Sequence, residues 1–61
     1  MDNSLTVTAQ EREFLVRLLQ TALKERRVEE HRTRAPSYRE HVLHEEETIA
    51  ALLRKLGEAP A

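Results

Sequence analysis

Apolar residues recur at helical spacing in two stretches of this 61-residue chain, with polar residues between them. At about 100° per residue, Leu15, Leu18, Leu19 and Ala22 share one face of the first stretch, with Phe14 on one flank and Val16 and Leu23 on the other. The second stretch places Tyr38, Val42, Ile49, Leu52, Leu53 and Leu56 on a narrower face. Both patterns predict amphipathic helices. Thr8 and Glu11 have the spacing of a capping box, in which each side chain satisfies a backbone donor of the first turn. Ser37 and Glu40 repeat that spacing just after Pro36, which pushes Ala35 out of helical geometry. Gly57, with Pro60 beyond it, supplies a C-terminal stop. These signals predict helices over about 8–34 and 37–56.

The link between them is Arg34-Ala35-Pro36, and so short a connection makes the helices antiparallel neighbours. The fold class is therefore all-α, with a helical hairpin over 8–57, an N-terminal arm over 1–7 and a frayed tail over 58–61. In the arm, Leu5 and Val7 are placed to cover the open end of the hairpin. With the turn near residue 36, residues whose numbers sum to about 71 lie side by side. Leu15 then meets Leu56, Leu18 meets Leu53, Leu19 meets Leu52, and Ala22 meets Ile49. Nearer the turn the layers become polar: Arg26 with Glu45, Glu30 with His41, and Thr33 with Tyr38, whose ring is expected to face inward.

The apolar stripe of the first helix is wider than one neighbouring helix can cover. One side is expected to pack within the hairpin and the other against a second copy, forming a four-helix bundle. Its core would draw on Phe14, Leu15, Leu18, Leu19, Ala22, Leu23, Val42, Ile49, Leu52, Leu53 and Leu56. Size supports this, because a domain of about 60 residues buries only about 60% of the surface its unfolded chain exposes. The chain has no cysteine, so neither a disulfide nor a thiolate zinc site can supply the missing stability. Aromatic residues make up 3% of the chain and charged residues 34%, which disfavours strands. A net charge of -1 provides no strong positive field for nucleic acid. No stretch approaches the ~20 apolar residues of a membrane span, and no signal-peptide pattern opens the chain, so a cytoplasmic location is expected.

The stretch "YREHVLHEEE" raises the question of a metal, since Glu and His on facing helices of a bundle can converge on an ion. The candidate ligands are Glu30, His41 and Glu45. His44 and Glu47 point elsewhere. Arg26 argues against such a site, because its guanidinium already supplies the positive charge beside Glu45 and cannot be deprotonated. The expectation is an internal Arg26–Glu45 pair with no metal and no cofactor. If Glu45 were left buried and unpaired, Arg26→Ala would destabilise the dimer by about 3–5 kcal/mol. His41 with either glutamate could form an acid–base pair, but no nucleophile accompanies them, and no enzymatic activity is expected.

Lys24, Arg26, Arg27, Arg32, Arg34 and Arg39 form one locally basic stretch, interrupted by Glu25, Glu29 and Glu30. Basic side chains at a helix C-terminus offset the macrodipole, which accounts for Arg32 and Arg34 without any ligand. A nucleic-acid-binding regulator is kept as an alternative function, and a metal-binding bundle as another. The size and hairpin-dimer plan resemble the repressor-of-primer RNA-binding proteins of plasmids, in architecture and not in sequence. The run "RVEEHRTRAPSYRE", between "LLQTAL" and "EEETIAALLRKL", resembles a group of short bacterial proteins of uncharacterised function. These share a leucine-rich first helix, an R-V-E-x-x-R-T segment, a short turn and a Y-R or F-R start to the second helix. The matching positions are Arg27, Val28, Glu29, Arg32, Thr33, Tyr38 and Arg39. The resemblance implies a hairpin with a structured turn, in which Glu29 or Glu30 pairs with Arg39 and Thr33 bonds the backbone. It implies no activity. The function expected from the whole is a homodimeric structural or protein-interaction module.

Overall fold

The computed structural model describes residues 5–60, and within them the chain is a hairpin of two helices, α1 (Ala9–Arg32) and α2 (Pro36–Lys55). The capping box forms at the start of α1: Thr8 Oγ1 accepts the Glu11 N–H at 3.1 Å, and Glu11 Oε1 accepts the Thr8 N–H at 2.8 Å. The end of α1 comes at Arg32, two residues before the sequence-based boundary. Ala35 is extended, as a residue before proline should be, and Thr33 is extended too. Thr33 Oγ1 accepts the Ala35 N–H at 3.3 Å, fixing the link.

At α2 the expected Ser37–Glu40 capping box is absent. The helix starts one residue earlier, with Pro36 itself in the first turn and Ala35 as an N-cap that makes no side-chain bond. Proline lacks the N–H that a cap would have to satisfy and its φ is already helical, so it can replace the box. The C-terminus of α2 closes as a Schellman motif: the Glu58 N–H reaches the Leu53 carbonyl and the Gly57 N–H reaches Arg54, both at 3.0 Å. Gly57 adopts φ +82°, the left-handed conformation this motif requires.

Beyond Gly57, the backbone or side chains of Glu58 and Ala59 meet α1. Arg12 Nε donates to the Leu56 carbonyl at 2.6 Å, its guanidinium pairs with Glu58 at 3.5 Å, and Gln20 Nε2 donates to the Ala59 carbonyl at 3.1 Å. At the other end of the described chain Leu5 is 75% exposed and Val7 half-buried, and both border a depression between the helices beside Leu15, Leu19, Leu52 and Leu56. The arm expected over 1–7 and the tail over 58–61 extend beyond the described residues by Met1 to Ser4 and by Ala61.

Among the described residues only Leu23, Val42 and Leu53 are fully buried. Leu15, Val16, Leu19, Ala22, Ile49 and Leu56 are half-buried around them. The line of closest packing on α1 therefore runs through Leu23 and Val16, which the helical wheel had placed on a flank. Phe14 is 58% exposed, Leu18 51% and Leu52 42%, so these three turn outward while Leu53 is buried.

Two substitutions test this account. Leu53→Ala should cost about 2–5 kcal/mol, measured by thermal or urea unfolding, since its whole side chain is buried. Gly57→Ala should cost about 1 kcal/mol through backbone strain alone. A Cβ there would sit at an ordinary 3.5 Å from the Arg12 guanidinium, so no clash contributes.

Candidate functional site

Both helices present one flank to the same side of the hairpin. In the half away from the turn this face is apolar: Phe14, Leu15, Leu18 and Ala22 come from α1, and Leu52 and Leu56 from α2. Phe14, Leu18, Leu19 and Ala22 line a shallow groove along α1, with Arg17 and Glu25 at its edges. A second depression, bounded by Leu5, Val7, Leu15, Leu19, Leu52 and Leu56, opens between the helices.

In the half next to the turn the same face is polar. Arg26 Nε donates to Glu45 Oε1 at 2.9 Å, and His41 Nε2 lies 3.8 Å from that oxygen. The side chains of Arg26 and Glu45 are 32% and 38% exposed, so within one hairpin the pair is wet and not internal. Tyr38 does not face inward: it is exposed, and its hydroxyl donates to Glu29 Oε2 at 3.0 Å. That bond and the Glu29 charge raise the Tyr38 pKa above its usual value, because both favour the protonated phenol.

Glu30 does not meet His41. It lies on the other flank, 3.7 Å from the Arg39 guanidinium and within hydrogen-bonding reach of Glu46. The candidate ligands Glu30, His41 and Glu45 are thus divided between two sides of the interface. Among the described residues, no group of three or more His, Asp or Glu is arranged to hold a metal ion.

The Glu30–Glu46 contact was not anticipated from the sequence. Their side chains are 19% and 15% exposed, and Glu46 Oε2 is buried without a hydrogen-bond partner. Two ionised carboxylates repel, so their closeness favours protonation of the more buried one. Burial and the neighbouring Glu30 carboxylate push the Glu46 pKa up, against the pull of Arg27, whose Nε is 4.0 Å away. The hydrogen bond with Glu46, supported by His31 and Arg39, pushes the Glu30 pKa down. One signal for this pair existed: Glu46 stands four residues from Val42 and seven before Leu53, squarely on the buried stripe of α2.

Comparison with family models, with curated proteins and with solved structures returns no match. Among the described residues, no helix is long and apolar enough to cross a membrane.

Two outcomes follow. Because Arg26 and Glu45 are each about one-third exposed, Arg26→Ala in the isolated hairpin should cost about 1 kcal/mol or less, well below the figure for a buried pair. The acid pair gives a pH effect. A raised Glu46 pKa means that its contribution is present below the unfolded carboxyl pKa and is lost as pH rises through the folded value. Glu46→Gln should therefore raise the unfolding temperature at neutral pH. The gain should shrink towards pH ~4, where the wild-type carboxyl is itself protonated. Calorimetry across pH checks both points.

Proposed function

We propose that the chain acts as a homodimer, two hairpins joined face to face in a four-helix bundle, serving as a non-enzymatic cytoplasmic structural or protein-interaction module. The observation that carries this reading is the unpartnered apolar face, on which Phe14, Leu18 and Leu52 are each more than two-fifths exposed. Large contiguous apolar surface in water marks an interaction site.

The dimensions support the same reading. The hairpin measures 40 × 27 × 14 Å, one helix thick, whereas stable domains pack at least two layers around a core. It exposes 5151 Å², while a folded monomer of its 7.1 kDa mass would expose about 4,100 Å². The excess of ~1,000 Å² is comparable to the ~800 Å² each partner buries in a standard interface. A nucleic-acid role is less well supported. Arg26, Arg27 and Arg39, three of the basic residues near the turn, lie against glutamates.

Sedimentation velocity tests the reading. At micromolar concentration the chain should sediment at about twice 7.1 kDa, and Leu18→Glu should give a monomer, since it removes an exposed leucine and places a charge on the face. A fully helical wild-type species at the chain mass would refute it.

A further inference from the structure

The segment before the capping box lies at the same face that a second copy would cover. Residues 5–7 precede α1 and alternate apolar, polar, apolar as Leu5, Thr6 and Val7. Thr8, where they join the helix, is extended, and in an extended chain alternate side chains point to opposite sides. Leu5 and Val7 accordingly border one depression together with Leu15 and Leu19 of α1 and Leu52 and Leu56 of α2, while Thr6 between them is exposed. The arm thus stands at the open end of the hairpin, beside apolar side chains of both helices. Helices pack by setting ridges of side chains into grooves, with axes about 8–10 Å apart. An extended chain takes up about 5 Å of its own, so a partner helix cannot reach these leucines while the arm lies over them.

We propose, on the dimeric reading above, that residues 5–7 act as a competing strap, which occupies the open end of the apolar face in the single hairpin and yields it to a second copy. The strap is lightly held. Leu5 is 75% exposed, so only a small part of its surface is covered, and Val7 is half-buried. The reciprocal Thr8–Glu11 bonds close the first turn of α1 at the base of the arm and make no use of residues 5–7. The arm can therefore leave the face with α1 unchanged. Phe14 and Leu18 lie outside the shared depression and are more than half exposed, so they stay open to a first encounter whether or not the arm is in place. Completing the interface then exposes what the hairpin had covered of Leu5 and Val7, and that cost raises the concentration at which two copies associate.

The double variant Leu5→Ser, Val7→Ser keeps Thr8 and Glu11, so the capping box and the helicity seen by circular dichroism should match the wild type. Sedimentation over a dilution series should show its dimer dissociation constant lowered by up to about tenfold, the equivalent of the partial burial of one leucine and one valine. An unchanged constant means that the arm does not compete, and a raised one that it belongs to the interface. Either result overturns the strap while leaving the dimer standing. Association by neither chain overturns both. A second variant fixes the arm in place. The chain has no cysteine, so Leu5→Cys with Lys55→Cys, both at the rim of the depression, can be bridged within one chain by a short bismaleimide at high dilution. The bridged chain should sediment at 7.1 kDa at concentrations where the same variant, unbridged, is dimeric. Equal association by the bridged and unbridged forms overturns the strap.

Discussion

A hairpin of two helices has a single line along which its members touch, and that geometric limit governs the rest of this structure. Each helix can bury the residues on the line and only half-bury those beside it. Leu23, Val42 and Leu53 occupy the line. Leu15, Val16, Leu19, Ile49 and Leu56 are half-buried beside it, and Phe14, Leu18 and Leu52 are exposed. The remaining stabilising devices are accordingly concentrated at the ends of the helices: a capping box at the start of α1, a proline at the start of α2, and a Schellman motif at its close. Each acts locally and does not depend on a deep core.

Charge fixes what packing leaves loose. A row of leucines can slide by a turn at modest cost, whereas an arginine must meet its carboxylate. Arg12 with Glu58, Arg26 with Glu45, Arg27 with Glu46 and Arg39 with Glu30 run the length of the interface on both flanks and pin the two helices in one alignment. Individually such exposed pairs are weak. Their value lies in specifying register. The Glu30–Glu46 contact is the exception, a pair of acidic side chains inside this ladder, flanked by Arg27 and Arg39.

The hairpin itself is legible in the sequence, because both helices carry a continuous 3.6-residue pattern and one proline-containing link separates them. Positions that depend on which part of a broad stripe receives the neighbour are not legible. Seven apolar residues spread from Phe14 to Leu23 leave the wheel undecided, and the packing line shifts towards Leu23, turning Phe14 and Leu18 outward. Two start signals overlap at Ser37: Pro36 opens the helix by itself, which leaves the Ser37–Glu40 spacing without a task. Of the polar residues, Arg26 and Glu45 can be read as neighbours from register arithmetic alone, but their exposure cannot. Glu30 swings to the flank of Arg39 and away from His41, since the guanidinium offers a charge that the imidazole carries only when protonated. The tail attachments through Arg12 and Gln20 left no periodic trace, because each is a single long side chain reaching a backbone carbonyl.

Those attachments bear on how the hairpin can be joined to anything else. With Thr8 at the start of α1 and Glu58 held against Arg12, both strands of chain depart from the same end of the rod, opposite the turn. The segments entering at Thr8 and leaving at Glu58 therefore lie at one end of the rod. The loop at Thr33 to Ala35 lies at the far end, and a pull along the C-terminal segment meets the Gln20–Ala59 bond and then the Arg12 clasp before it reaches α2.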